Sequence, residues 1–251
     1  MKVAVVQHDI AWEDRDATFA RLRPQVAAAA GAGARIVLLS ETFSTGFSMR
    51  TERTAEPEGG PSSQFLGEMA AAHGLWIGGS VPEVAAAGEQ PYNTFVLAGP
   101  DGTQHRYRKI HRFGYGGEDR AFAAGAKRVT VEVEGLRVSL FVCYDLRFAD
   151  DWWAVAEDTD AYLCVANWPE ARRHHWQALL LARAIENQAY VVACNRVGQG
   201  GKLAYAGDSA IIDPLGDVLA AGSRTEALLV ADVDPARATA VRAEFPFLAD
   251  R

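Results

Sequence analysis

The chain is short of most features that would assign it to a large protein class. It has only three cysteines in 251 residues, Cys143, Cys164 and Cys194, widely spaced and odd in number. They make no disulfide framework and fit a reducing compartment, so a cytoplasmic protein is expected. There is no Cys-x-x-Cys and no His-Glu-x-x-His, and no metal is expected. His174 and His175 are adjacent, so on a helix they point to different faces. There is no Gly-x-Ser-x-Gly elbow, dinucleotide fingerprint or P-loop; a serine hydrolase of that kind is disfavoured and no cofactor is expected. No apolar run is long enough to span a bilayer. Met1-Lys2 leads straight into the apolar residues 3–6, which does not read as a secretory signal. Positive charge is not in excess: the net charge is -7, which weighs against nucleic acid as a partner.

What is present is apolar sequence, 49% of the chain, enough for a large core. Strand patterns fall at residues 2–8, 35–39, 75–80, 92–98, 104–110, 162–166, 190–195, 209–212, 218–221 and 228–233. Residues 129–134 and 137–142 flank Gly135 as a hairpin. Helices are expected at 14–30, closed by Gly31-Ala32-Gly33, and at 62–72, with Ser62 or Ser63 as cap. Others are expected at 147–157, 170–187 and 235–244. The glycine-rich stretches 114–117 and 198–201 read as loops. No linker or composition shift divides the chain, so one domain over 1–251 is expected. Helices mixed with strands and hairpins favour a layered α/β (α+β) sandwich.

Three residues stand at the ends of extended runs. Glu41 follows Ile36-Val37-Leu38-Leu39-Ser40, Lys109 ends residues 104–109, and Cys143 follows Val138-Ser139-Leu140-Phe141-Val142. Strand ends are where α/β folds tend to place ligands. A helix starting at Cys143 would favour its thiolate. A cysteine nucleophile also needs a base and a stabiliser for the oxyanion, roles that a carboxylate and an ammonium can fill. Each residue also has an ordinary reading: a core thiol, a loop carboxylate, a solvated edge strand.

The segments around them carry more. Leu38-Leu39-Ser40-Glu41-Thr42-Phe43, Tyr107-Arg108-Lys109-Ile110-His111-Arg112-Phe113 and Phe141-Val142-Cys143-Tyr144-Asp145-Leu146-Arg147-Phe148 resemble the Glu, Lys and Cys motifs of the nitrilase (carbon–nitrogen hydrolase) superfamily, in order and at similar separations. Asn167-Trp168-Pro169, Arg183-Ala184-Ile185-Glu186-Asn187-Gln188 and Gly207-Asp208-Ser209 are similar to further family segments. The resemblance runs over nearly the whole chain. It implies a four-layer α-β-β-α sandwich, a homodimer or higher homo-oligomer, and a Glu–Lys–Cys mechanism without metal or cofactor. In that mechanism Cys143 attacks an amide, Glu41 moves protons, and Lys109 with the Tyr144 N–H holds the oxyanion. Glu118 matches a second family glutamate that orients the substrate or the lysine.

Within the superfamily, Thr42-Phe43-Ser44-Thr45-Gly46-Phe47, Asn167-Trp168-Pro169 with Arg172 and Trp176, Asn195-Arg196-Val197-Gly198 and Glu244-Phe245-Pro246 are similar to the ω-amidase group. That resemblance implies hydrolysis of the terminal amide of a short dicarboxylate monoamide, such as 2-oxoglutaramate or 2-oxosuccinamate. The remaining carboxylate calls for a cation, and an arginine fork suits it. Arg172 and Arg147 are candidates; for Arg147 an ion pair with Asp145 or Asp150 is an equal reading. Phe43, Tyr115, Trp168 and Trp176 either line the pocket or belong to the core. Residues 111–118 carry more glycine and an added aromatic than ω-amidase loops do, which leaves open an N-carbamoyl amine or a deaminated-peptide amide as substrate. A non-catalytic scaffold of the same fold is the alternative of another class, and the presence of Glu41, Lys109 and Cys143 together speaks against it.

Overall fold

The computed structural model describes residues 1–250. Six strands open the chain: β1 (Lys2–Gln7), β2 (Ile36–Leu38), β3 (Glu56–Pro57), β4 (Trp76–Val84), β5 (Tyr92–Ala98) and β6 (Gln104–Arg108). Seven follow: β7 (Thr130–Val133), β8 (Leu136–Val142), β9 (Ala161–Ala166), β10 (Tyr190–Asn195), β11 (Val197–Gly200), β12 (Leu203–Ile212) and β13 (Val218–Ser223). The last strand, β14 (Ala227–Asp232), returns to pair with β1. The first sheet has the order β14-β1-β2-β4-β5-β6, with β3 on β4; the second has β11-β12-β10-β9-β8-β7, with β13 on β12. The helices are α1 (Arg15–Gly31), α2 (Thr51–Thr54), α3 (Pro61–His73), α4 (Glu118–Ala121), α5 (Ala149–Trp153), α6 (Arg173–Asn187) and α7 (Pro235–Glu244).

Alternation along β1 shows how the layers form. Val3 and Val5 join the core between the sheets, while Ala4 and Val6 face the opposite way, against Leu22 and Val26 of α1 and Leu66 of α3. α6 covers the other sheet at β10 and β12, and β1 packs on β10 across the middle. The order of layers is therefore helix, sheet, sheet, helix, as expected from the sequence. Among the described residues no helix is long and apolar enough to cross a membrane.

Several local expectations change. Neither Ser62 nor Ser63 caps α3. The N-cap is Gly60, Pro61 holds the first position, and a carboxylate oxygen of Glu56 accepts from the Ser62 N–H at 2.6 Å. The helix expected over 147–157 is broken into α5 and a 3-10 turn (Ala156–Asp158). The Tyr162 hydroxyl donates to the Trp152 carbonyl at 2.9 Å, and the Trp152 ring stacks on Phe141. The stretch 198–201 is not a plain loop: β11 pairs with β12 from Val197–Ala206 to Gly200–Leu203. Its glycines hid the strand, because they carry no alternation to read.

Candidate active site

The parallel strands β8, β9 and β10 end at one place, beside the loop that leaves β2. That loop is pinned to β4: Thr42 N–H donates to Ser80 Oγ at 2.8 Å and Phe43 N–H to the Ser80 carbonyl at 3.1 Å. His8, whose buried imidazole is pushed down to about 4 and so stays neutral, faces Ser40 Oγ at 3.1 Å. Glu41 is thereby carried into the space between the sheets with no exposed surface. Lys109 follows β6 and arrives from the other side. Its N–H donates to the Asn93 carbonyl at 2.9 Å and its carbonyl accepts from Gly125 at 2.8 Å. A Cβ on Gly125 would lie 1.9 Å from the Arg108 carbonyl oxygen, so only glycine allows that approach.

Cys143 stands where β8 gives way to a 3-10 turn (Cys143–Arg147). Its φ is 48°, in the left-handed region that a residue with a Cβ seldom adopts. Such strain persists where surroundings over-determine it. Here the buried Asp145 does so, accepting from Val142 N–H (3.0 Å), His111 N–H (2.9 Å) and Tyr107 Oη–H (2.8 Å). Asp145 thus ties the cysteine turn to the chain that follows Lys109. The Tyr144 N–H lies in the first turn of that 3-10 helix, where amides have no acceptor within the helix.

The charged groups converge. Lys109 Nζ donates to Glu41 Oε1 and to both oxygens of Glu118, each at 2.9 Å. Glu41 Oε2 accepts from the Asn167 N–H at 2.7 Å. Glu118 Oε2 accepts from the Phe113 N–H at 2.5 Å. Asn93, an ordinary strand residue by its sequence, donates from Nδ2 to Glu41 (2.8 Å) and Glu118 (3.1 Å). Burial alone would favour the neutral amine of Lys109, but Glu118 and Glu41 beside it hold its pKa well above the ordinary lysine value. Burial, joined by the charge of Glu41, pushes the Cys143 thiol far up despite Lys109. The expectation of a thiolate at a helix start is therefore reversed. The turn is there, but desolvation and two carboxylates outweigh its amides, and the resting group is a thiol bonded to Glu41.

Cys143 lies on the wall of a cavity of about 220 Å³. Trp12, Phe47, Phe113, Tyr144, Trp168 and Tyr205 give it aromatic sides. Arg147, Arg172 and Lys202 give it three cations. None of the three has a carboxylate within 4 Å among the described residues. Arg147 lies over the Trp168 ring at 4.7 Å and meets His175 Nδ1, and Arg172 lies over Phe113 at 5.3 Å. The ion pair with Asp145 or Asp150 is not formed: Asp145 is taken up by Val142, His111 and Tyr107, and the Arg147 guanidinium lies over Trp168 instead. Three of the four candidate aromatics do not line the cavity. Phe43 is buried beside Phe19 and Phe65 under the first sheet, and Tyr115 is 92% exposed. Trp176 is likewise core, its Nε1–H on the Asp208 carbonyl.

A carbon–nitrogen hydrolase family model matches residues 2–243. The chain belongs to that family. It is 37% identical over 248 residues to "Omega-amidase YafV" of Escherichia coli K12, covering 98% of this chain and 94% of that protein. It is 35% identical to "2-oxoglutaramate amidase" of Bacillus subtilis, covering 86% and 85%. Among solved structures, XC1258 of Xanthomonas campestris, a CN-hydrolase superfamily protein with an arsenic adduct in its active site, superposes with a TM-score of 0.95 at 37% identity, over 100% of this chain and 97% of that one. The carbon–nitrogen hydrolase fold and the ω-amidase resemblance read from the motifs both stand.

Proposed function

We propose that the protein hydrolyses the terminal amide of a short dicarboxylate monoamide, of which 2-oxoglutaramate and 2-oxosuccinamate are examples, through a Cys143 thioester. The observation that carries this reading is the cavity itself: Cys143 on its wall, backed by the buried Glu41–Lys109 pair, and around its mouth three cations that have no carboxylate partner among the described residues. An unpaired cation beside a small cavity suits an anionic ligand, and the relatives named for ω-amidase and 2-oxoglutaramate amidase activity point the same way.

In this mechanism the Cys143 sulfur attacks the amide carbon as its proton passes to Glu41. The oxyanion is held by Lys109 and the Tyr144 N–H. The tetrahedral intermediate collapses, the C–N bond breaks, and the proton on Glu41 leaves with the nitrogen as ammonia. Water then attacks the thioester carbon, giving a proton to Glu41. The C–S bond breaks, the acid is released, and the proton returns to sulfur. Glu118 holds Lys109 in place. Arg172, with Arg147 and Lys202 near it, receives the distal carboxylate, while Trp168 and Tyr144 flank the chain between the two ends. Ammonia release from purified protein should be fastest on 2-oxoglutaramate or succinamate. It should be at least about tenfold slower on the corresponding neutral amide, the factor that 1.4 kcal/mol of carboxylate recognition gives. Equal rates on neutral amides, or preference for N-carbamoyl amines, would overturn the substrate assignment.

A further inference from the structure

Lys109 has a difficulty in the resting site. An ammonium group has three N–H bonds, and three carboxylate oxygens already take them: Glu41 Oε1, Glu118 Oε1 and Glu118 Oε2. To serve the oxyanion, one N–H must turn away from a buried carboxylate, and a carboxylate left short of donors there is costly. Glu118 has replacements for the bond it would lose. The Phe113 N–H holds one oxygen and Asn93 Nδ2–H the other. The same Nδ2 holds Glu41 Oε1, and the Asn93 carbonyl accepts from the Lys109 N–H. One residue therefore touches Glu41, Lys109 and Glu118.

The orientation of its amide is informative. Asn93 is 1% exposed, and no group of the described residues donates to its Oδ1. The carboxylates can only accept, so they dictate that nitrogen faces them even though oxygen is left unpaired. A residue placed there for packing alone would have no reason to carry that orphan.

We propose that Asn93 is a positioning residue of the reaction. It holds the two carboxylates apart and supplied with donors, so that Lys109 can turn one N–H to the oxyanion while Glu41 stays against the Cys143 sulfur. The inference rests on the amide-hydrolysis reading above.

The test compares Asn93→Asp, of nearly the same shape but a third carboxylate in place of the donor, with Asn93→Ala. Asn93→Asp should lower kcat by at least about 100-fold, the loss typical of a missing oxyanion donor, and change KM by less than about threefold. It should also gain a new fall in kcat on the alkaline side. Three carboxylates around one ammonium must share a proton, and activity goes as that proton leaves. Asn93→Ala should lose kcat without the alkaline limb. Combined with Glu118→Gln, it should lose little beyond the worse single variant, because both act through the same lysine. A folded Asn93→Asp with kcat within about threefold of wild type would overturn the proposal. So would losses that multiply in the double variant, or losses that track the unfolded fraction with an unchanged pH profile. Failure of both single variants to fold, judged by circular dichroism, would make Asn93 structural and overturn it as well. Wild type inactive on every amide contradicts the parent reading and this one together; active wild type with indifferent Asn93 variants contradicts only this one.

Discussion

At the floor of the site, behind the cavity wall to which Cys143 contributes, Glu41, Lys109 and Glu118 are fully buried and joined to one another, each approaching from the end of a strand or the start of a short helix. At the mouth, Arg147, Arg172 and Lys202 stand on 3-10 turns and a hairpin tip, touching aromatic faces or nothing charged. The floor spends its polar groups on itself. Buried charge is tolerated only when so paired, and this fixes the chemistry to the framework of the two sheets. The mouth keeps its charges free for a ligand. The contrast separates what the fold must preserve for C–N hydrolysis from what loops can vary to choose an amide.

Substitutions should therefore behave differently in the two regions. The largest effect is expected on the floor. Cys143→Ala should lower kcat by about 10⁴-fold or more, the scale on which losing a nucleophile is felt, with no loss of fold; ammonia release and thermal melting check both. Hydrolysis at the wild-type rate would break the assignment of the floor. At the mouth, Arg172→Ala should act through kcat/KM. Losing a charge-assisted bond of about 1.5–3 kcal/mol predicts a fall of about 10- to 100-fold for the carboxylate-bearing amide. The neutral amide should change little. Equal losses on both would mean that Arg172 supports structure rather than reading the carboxylate.

Titration gives a smaller effect that sharpens the comparison. The Cys143 thiol is held well above its ordinary value by burial and by Glu41, so it is protonated at neutral pH. Alkylation by iodoacetamide, which needs thiolate, should be slow at pH 7 and quicken as pH rises. Cys143 should still be labelled well before Cys164 and Cys194. It alone lies on the cavity, whereas the other two have no exposed surface. Burial pushes Cys164 and Cys194 up as well. Rapid labelling of Cys143 at pH 6 would contradict the neutral resting thiol, and equal labelling of all three would contradict the cavity.

The same division explains what the sequence made legible. Glu41, Lys109 and Cys143 stand out because each closes an extended run, apolar before Glu41 and Cys143 and charged before Lys109, and because the segments around them resemble a family. Glu118 could be found only through that resemblance, since residues 114–117 look like any glycine-rich loop. Asn93 was invisible: nothing in Tyr92-Asn93-Thr94 marks a side chain that will bridge two carboxylates from distant segments. The mouth was read least well. Phe43 follows Glu41 in sequence, but the tight turn with Thr42 at φ 39° sends it into the core beneath the first sheet. Lys202 and Tyr205 reach the cavity on the β11–β12 hairpin, whose glycines concealed it. Adjacency along the chain says little about which face a loop residue will take.

The proposed reaction passes through a covalent bond between substrate and Cys143, and intact-mass and peptide mass spectrometry of protein quenched during turnover of a slow carboxylate-bearing amide tests it most directly. The predicted result is an acyl group on the peptide containing Cys143, lost on further incubation and absent from Cys143→Ala. Turnover without any adduct on that peptide under conditions where thioester hydrolysis is slowest, or an adduct carried by another residue, would contradict it.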